Sequence, residues 1–346
     1  MLAPFPWYGG KRRVAARVWE RLGADVTNYV EPFAGSLAML LGRPGWTLDD
    51  PPTAETINDL DGYVANFWRS VAHDPEAVAR WADWPVNEND LHARHVWLVE
   101  RKEQIVRRLE GDPDYYDAKV AGWWVWGISV WIGSSFCSGS GPWQAVEDDE
   151  GHRKLVHVGD PGMGVHRQLV HVGDPGMGVH RQLVHVGNPG MGDAGDGLQG
   201  LYAWIEALSE RLRRVRVCCG DWKRICDSTA TLFPIRDGTC GVFLDPPYSQ
   251  DERCAELYTV ETNVAEDVLA WCRKWGQHER LRIALCGYEG ECHDALTDEG
   301  WSVEEWKSDG GYGNQAGADG AGRTNRTRER IWYSPGCGGR KQTSLF

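Results

Sequence analysis

The sequence lacks the long apolar runs that build membrane proteins. No stretch approaches the about 18 consecutive apolar residues that a transmembrane helix needs, and the amino terminus has no apolar core typical of a secretory signal. Paired Cys-x-x-Cys motifs are absent too. The 10 cysteines are scattered, which is typical of reduced, mostly buried thiols and not of a disulfide framework. We therefore expect a globular protein of the cytoplasm.

Positive charge is also scarce. The formal net charge is −13, so a basic surface that coats nucleic acid in general is not expected. Basic residues nevertheless cluster in three places, and each cluster either contacts phosphate or is a solvated face of a helix or loop. The clusters are Lys11, Arg12 and Arg13; Arg101, Lys102, Arg107 and Arg108; and Arg323, Arg326, Arg328 and Arg330.

Apolar content is sufficient for a large core. The chain has 346 residues, of which 42% are hydrophobic, and strand-like runs alternate with helical patterns. This order predicts a doubly wound, mostly parallel α/β sheet. The predicted strands cover 28–33, 55–58, 215–219, 241–244 and 281–286, and the helices cover 14–22, 62–71, 203–213 and 264–274.

The end of the chain departs from this alternation. Segments 301–306 and 330–333 both have strand character, and a glycine-rich loop at 309–322 joins them without a helix. Two strands joined in this way pair antiparallel most simply, so we expect the last strand to be reversed.

Two strand ends carry residues of chemical interest. Asp245-Pro246-Pro247-Tyr248 follows the apolar run 241–244, and Tyr-Val-Glu-Pro-Phe-Ala-Gly-Ser occupies 29–36. The carboxyl ends of parallel strands form one edge of the sheet, where α/β proteins bind their ligands. A lone Asp-Pro turn is otherwise an ordinary strand-ending turn. Together the two segments predict a cleft and a group-transfer enzyme.

With Phe5-Pro6-Trp7-Tyr8-Gly9-Gly10-Lys11 upstream, the three motifs in this order resemble the Dam-type DNA adenine methyltransferases. The resemblance covers 1–72 and 201–335, and its details suit a phage or mobile-element member. It implies a Rossmann-like methyltransferase fold and a site-specific enzyme that uses S-adenosylmethionine and requires no metal. Double-stranded DNA is the implied substrate, in the cytoplasm of a bacterium or phage-infected host.

The resemblance assigns catalysis to Asp245, Pro246, Pro247 and Tyr248. The lone pair of an exocyclic amino group is delocalised into the ring, so acceptors must draw its hydrogens away from the ring plane. Asp245 and the carbonyl of Pro246 are such acceptors, and Tyr248 would stack on a flipped-out adenine. Cytosine's amino group or an RNA base would need similar chemistry, and a non-catalytic DNA-binding relative is the other alternative.

The resemblance also assigns the cofactor-binding residues. Lys11 would lie near the cofactor's carboxylate or the target base, and the glycine turn near the methionine part. Asp59, with Asp61 as a near alternative, and Asp221 are otherwise helix caps or turn residues. At Ser36-Leu37 many relatives have another small residue, which leaves the shape of that turn open. The set is Trp7, Tyr8, Gly9, Gly10, Lys11, Glu31, Pro32, Phe33, Ala34, Gly35, Ser36, Asp59 and Asp221.

Four segments make up the predicted domain organisation. The methyltransferase domain is split into an N-terminal half at 1–72, with the cofactor motifs, and a C-terminal half at 201–335, with the catalytic motif. An insert at 73–200 is assigned to target recognition, and a flexible tail covers 336–346. The tryptophan-rich segment 123–132 of the insert has helical spacing, which favours a core-facing helix over a base-stacking platform.

The insert ends in 14-residue repeats at 155–168 and 169–182, with a partial copy at 183–192. Each copy predicts a short strand followed by a glycine turn. DNA contacts are expected from Lys11, from the glycine/serine loop 133–141 and from the repeats. The expected residues are Lys11, Ser134, Ser135, Arg167 and Arg181. Metal binding by the repeated histidines, or a duplicated surface loop without contacts, are the alternatives.

The tail has a separate motif. Gln342, Leu345 and Phe346 resemble the short peptide that binds the bacterial sliding clamp, in which a Leu-Phe pair fills an apolar groove. An exposed Leu-Phe pair otherwise has no evident purpose.

Overall fold

The protein is described here from a computed structural model. The structure describes residues 1, 3–5, 7, 10–47, 54–131, 136–137, 143–147, 153–157, 197–247, 261–306 and 328–338. By their contacts, these residues form two compact units. Unit 1 comprises Met1–Trp7 and Asp61–Arg213, and unit 2 comprises Tyr8–Leu60 and Arg214–Phe346.

A seven-stranded sheet dominates unit 2. Its strands are Val26–Glu31 (β1), Ala54–Asp59 (β2), Val215–Cys219 (β5), Thr239–Leu244 (β6), Leu281–Tyr288 (β7), Ser302–Glu305 (β8) and Glu329–Tyr333 (β9). The strands β3 (Trp143–Glu147) and β4 (Arg153–His157) form an antiparallel pair in unit 1.

The strand order in unit 2 is β5-β2-β1-β6-β7-β9-β8. The pairs among β5, β2, β1, β6 and β7 are parallel, whereas β9 runs antiparallel to both of its neighbours. After β1 the chain moves outward to β2 and β5, and it then returns to the other side of β1 as β6. The order therefore reverses between β1 and β6, and ligands of open α/β sheets bind at the carboxyl ends of such a strand pair.

Helices cover both faces of this sheet. The helices of unit 2 are Ala15–Leu22 (α1), Ala38–Leu41 (α2), Lys223–Cys226 (α9), Thr229–Leu232 (α10) and Glu261–Trp275 (α11), with a 3₁₀ helix at Cys292–Glu299. Successive strand residues face opposite ways: Val30 joins a core with Trp222 and Val268, whereas the ring of Tyr29 lies 4.8 Å from that of Trp19 on α1.

Unit 1 is helical apart from its two short strands, within the part the structure describes. Its helices are Gly62–His73 (α3), Pro75–Ala82 (α4), Glu88–Val99 (α5), Lys102–Gly111 (α6), Ala118–Val130 (α7) and Gly197–Leu212 (α8). The side chain of Asp117 caps α7 by accepting from the N–H of Val120. Trp124 of α7 is buried against Phe5 and Phe67, with ring centroids 5.0 and 5.8 Å apart.

These observations confirm the predicted α/β sheet and its reversed last strand. Strands β1, β2 and β5 to β7 lie within two residues of the predicted bounds, and β8 pairs antiparallel with β9 as expected. The buried tryptophans of α7 likewise confirm a core-facing helix. By contacts, α3 and α8 pack with α4 and α7 in unit 1, and the assignment of domain functions stays a prediction.

Candidate active site

The turn after β1 is tied to the end of β2. The backbone N–H of Gly35 donates to Oδ2 of Asp59 at 2.8 Å, and the N–H of Ala34 donates to the carbonyl of Asn58 at 2.9 Å. Gly35 has a φ of 44° and Leu37 a φ of 55°, a left-handed conformation that suits glycine and strains leucine. The turn is thus held in a tight conformation at the carboxyl edge of the sheet.

Asn58 extends this link to the third strand end. Its side-chain amide donates to the carbonyl of Pro32 at 3.1 Å and to that of Gly220 at 2.9 Å, while the N–H of Gly220 donates to the carbonyl of Asp59 at 3.0 Å. The ends of β1, β2 and β5 therefore form one hydrogen-bonded unit. Asn58 was not predicted from the sequence. A polar amide inside a buried strand, next to the predicted cofactor-binding residue Asp59, could have indicated its role.

Glu31 lies behind the turn and is only 2% exposed. Its Oε2 accepts from the hydroxyl of Tyr29 at 3.0 Å and from the N–H of Leu40 at 3.1 Å. Burial raises the pKa of Glu31 to about 8, although these two hydrogen bonds oppose the shift. This arrangement connects β1 to the start of the helix that follows the turn.

The other residues predicted around the turn occupy different positions. Ser36 and Ala34 are buried, and the half-buried ring of Phe33 packs 5.8 Å from Trp222. Asp221 is exposed, and its Oδ1 accepts from the N–H of Lys223 at 2.8 Å. This hydrogen bond is the one expected if Asp221 is a turn residue, which is the alternative to a cofactor-binding role.

Asp61, the alternative to Asp59, serves as a helix cap. It belongs to unit 1, where its side chain accepts from the N–H of Tyr63 and caps α3. Between the two aspartates, the contact with the glycine turn therefore favours Asp59.

The predicted catalytic motif contacts the first motif at the end of β6. The Nζ of Lys11 lies 2.9 Å from Oδ1 of Asp245, with the lysine side chain 3% exposed and the aspartate 22% exposed. Pro246 is buried and Pro247 is exposed, while Tyr248 lies outside the described residues. Lys11 and Asp245 are far apart in the chain, and the sheet brings them together.

Lys11 is charged despite its burial. Burial lowers the pKa of the ammonium group, but the nearby Asp245, Cys286 and Glu329 raise it, and the net effect is a pKa above the usual lysine value. The ring of Trp306 lies 5.6 Å from Nζ. Sequence reasoning did not assign Glu329 or Trp306 to this site, because both come from the last two strands and their positions depend on the strand order.

Phe5 and Trp7 of the first motif lie in unit 1. Trp7 is 36% exposed, and its ring is 5.9 Å from Phe5 and 6.5 Å from Trp124. Gly10 is exposed, while Tyr8 and Gly9 lie outside the described residues. A cofactor role for these four residues stays a prediction.

The basic clusters at 101–108 and 328–330 are largely engaged within the protein. Arg101 lies 3.7 Å from a carboxylate oxygen of Glu100 and 3.9 Å from the ring of Trp97. Arg330 is 8% exposed and lies 2.5 Å from an oxygen of Glu289. These contacts favour the alternative that both arginines support their own elements.

Several predicted residues cannot be placed. Lys11 is described and buried, but the other expected DNA contacts and the clamp-binding residues lie outside the described residues, as do most of the repeats: Ser134, Ser135, Arg167, Arg181, Gln342, Leu345 and Phe346. In the described part of the chain, no three His, Cys, Asp or Glu side chains are grouped to hold a metal ion. Nor does any described helix have the length and apolarity needed to cross a membrane.

Comparison with known proteins finds a family that is similar to the amino-terminal part of the chain. Residues 7–103 match the family of D12 class N6 adenine-specific DNA methyltransferases, whereas no curated protein is significantly similar in sequence. The matched segment contains Lys11, the glycine turn and Asp59, and the sheet brings Asp245 beside Lys11. Residues 7–103 are thus similar to the D12 class N6 adenine-specific DNA methyltransferases, and this similarity supports a DNA methyltransferase specific for adenine.

Proposed function

We propose that the protein transfers a methyl group from S-adenosylmethionine to the exocyclic amino group of an adenine flipped out of double-stranded DNA at a specific site. One observation carries the proposal. Asp245 and the Gly35 turn follow β6 and β1, the two neighbouring parallel strands between which the strand order reverses. That arrangement supports a methyl donor and an acceptor base meeting at this edge.

The residues present fit a nucleoside cofactor with a charged amino-acid part. Gly35 allows a close approach of the backbone, and Asp59 and Asp221 are carboxylates at the ends of β2 and β5, suited to ribose hydroxyls and an amino group. Phe33 adds an apolar surface at the turn. Glu31 is already occupied by Tyr29 and Leu40, so we assign it to holding the turn in shape. S-adenosylmethionine, when bound, supplies a methyl group activated by a positively charged sulfur.

Asp245 is the acceptor for the target base. Its carboxylate accepts a hydrogen bond from the adenine amino group, and the carbonyl of Pro246 accepts the second one. These two bonds draw the hydrogens out of the ring plane and concentrate the lone pair on nitrogen. Pro246 and Pro247 have no N–H that competes for the carboxylate. Tyr248 is assigned to stacking on the base, by its place in the motif.

Lys11 orients Asp245. Their contact of 2.9 Å joins Nζ of Lys11 to Oδ1 of the Asp245 carboxylate. Catalysis then consists of positioning and electrostatics, without a covalent enzyme intermediate.

The test is transfer of labelled methyl from S-adenosylmethionine to unmethylated double-stranded DNA, followed by nucleoside analysis. We expect label in 6-methyladenine with the wild-type protein, and none with Asp245→Ala, while the variant still binds the cofactor. Asp25→Ala is a matched control, because Asp25 is paired with Arg282 instead. Label in cytosine, or only in RNA, would contradict the proposed acceptor.

The insert is proposed to recognise the DNA site. The residues assigned to contacts, besides Lys11, are Ser134, Ser135, Arg167 and Arg181, and their basis is the sequence. Deletion of one complete repeat, 169–182, should weaken binding or change the preferred site. Unchanged affinity and site preference would support the alternative of a duplicated surface loop.

The tail is proposed to bind the bacterial sliding clamp through Gln342, Leu345 and Phe346, which would suit a phage or mobile-element enzyme of the host cytoplasm. Removal of 342–346 should abolish clamp binding and leave methyl transfer on short duplexes unchanged. Clamp affinity that survives this truncation would rule the tail out.

A further inference from the structure

Trp306 lies beside the catalytic pair without having been assigned a role. It follows the last residue of β8, and because β8 runs in the same direction as β6 and β7, this position is on the catalytic edge of the sheet. Its backbone N–H donates to the carbonyl of Glu329 at 3.3 Å. The side chain is 5% exposed, and the ring centroid is 5.6 Å from Nζ of Lys11.

The contact between this ring and the ammonium group is of the cation–π type. Such a contact is effective within about 6 Å and contributes more when water is excluded. Both side chains are almost completely buried. The ammonium group of Lys11 therefore contacts both the carboxylate of Asp245 and the face of the Trp306 ring. The ring limits the directions in which the ammonium group can turn.

We propose that Trp306 is a positioning residue of the catalytic centre, which holds the Lys11 ammonium group against Asp245. Trp306 acts through Lys11 and need not touch the substrate. The inference rests on the proposed function for its effect on catalysis, but the contact itself can be tested separately.

Trp301, at the other end of β8, provides a matched comparison. It is 3% exposed and belongs to the large apolar core. In the described residues it has no contact with a cation, whereas Trp306 does. The indole N–H of Trp306 is also buried without a hydrogen-bond partner in the part of the chain that the structure describes. The two tryptophans thus separate the effect of burial from the effect of the contact with Lys11.

The first experiment measures exchange of the Lys11 ammonium protons with water by NMR on lysine-labelled full-length protein. Trp306→Leu removes the aromatic face and should accelerate exchange roughly tenfold, a change that lies between those expected for an exposed and for a fully desolvated cation–π contact. Trp306→Phe keeps an aromatic face and should stay within about threefold of wild type. Trp301→Leu should leave the exchange unchanged. Equal exchange in wild type and Trp306→Leu would overturn the inference.

The second experiment measures methyl transfer by the same variants. Trp306→Leu should lower kcat roughly tenfold with little change in the KM for DNA, and Trp306→Phe should restore most of the rate. Lys11→Met with Trp306→Leu should be no slower than Lys11→Met alone, because Trp306 acts through Lys11. Additive losses would indicate a purely structural role and contradict the inference.

The two measurements separate this inference from the proposed function. If the wild-type protein transfers no methyl group but Trp306→Leu accelerates exchange at Lys11, the contact is supported and the proposed reaction fails. If the wild-type protein methylates DNA but Trp306→Leu leaves exchange and kcat unchanged, the reaction is supported and the role of Trp306 fails.

Discussion

The N–H of Gly35 donates a 2.8 Å hydrogen bond to the carboxylate of Asp59. This bond connects the turn after β1 to the end of β2, so Asp59 shapes the proposed cofactor site even before any ligand is present. A hydrogen bond to a charged group contributes about 1.5–3 kcal/mol net, which is large compared with an exposed ion pair.

Replacement of Asp59 by alanine should therefore weaken cofactor binding at least about tenfold, because the turn loses its acceptor. Calorimetric titration with S-adenosylmethionine measures this. Asp267→Ala is the control: Asp267 pairs with Lys223 on an exposed surface, so its removal should leave the affinity within about twofold. Equal affinities for the two variants would contradict the role of Asp59.

Asn58 and Asn28 allow a matched pair of substitutions. Both are almost completely buried, and the amide of each donates to two backbone carbonyls, those of Thr231 and Leu232 in the case of Asn28. Leucine at either position removes the amide donor from two carbonyls, and we expect a loss of about 2–4 kcal/mol in the free energy of unfolding. Urea denaturation monitored by fluorescence measures it.

Only Asn58→Leu should also weaken cofactor binding, because only Asn58 joins the ends of β1 and β5. A similar loss of affinity in Asn28→Leu would show that general destabilisation, and not the shape of the turn, controls binding.

Glu31 should make stability depend on pH. Its pKa is about 8 in the folded protein against an ordinary value of 4.5, so the folded state holds the proton more tightly than the unfolded state. The contribution of Glu31 is fully present below pH 4.5 and is lost as the pH rises through 8, by roughly 3–5 kcal/mol.

Glu31→Gln removes this titration while keeping a side chain of similar shape. As the pH rises from 5 to 9, the free energy of unfolding of the wild type should thus fall relative to that of Glu31→Gln. Denaturant unfolding at several pH values tests this, and a difference that is constant across the range would show that Glu31 is ionised in the folded protein.

Lys11 and Asp245 should be coupled in stability as well as in catalysis. Asp245→Ala removes a carboxylate that lies 2.9 Å from the buried ammonium group, which should cost roughly 3 kcal/mol of stability. Lys11→Met in the same chain removes the charge, so the double variant should be more stable than Asp245→Ala and equally inactive. A double variant with additive destabilisation would contradict a direct coupling in the folded state.

The sequence predicted the helices and strands better than the contacts between them. Strands such as β6 and β7 were predictable because their apolar runs are buried on both faces, as in most parallel sheets. The contact between Gly35 and Asp59 was not predictable from spacing, since the same aspartate suits a helix cap. Asp61, two residues further on, has that role.

The neighbours of Lys11 could not be inferred for a different reason. Local patterns predict that β8 and β9 pair, but they do not reveal that β9 inserts between β7 and β8. That insertion decides which side chains approach the amino-terminal motif. Trp306 and Glu329 therefore became visible as partners of Lys11 only in the folded chain.

The reversed strand β9 also has a consequence for biosynthesis. Lys11 is made before any strand of the sheet, whereas Trp306 and Glu329, which lie near its ammonium group, are made after nearly all of the sheet. Translation proceeds at about 5–20 residues per second. Until Trp306 and Glu329 have been made, the nascent chain contains the glycine turn and Lys11 without these later residues. The proposed catalytic centre is complete only when the last strand has joined the sheet, so a chain that ends before β9 lacks part of the surroundings of Lys11.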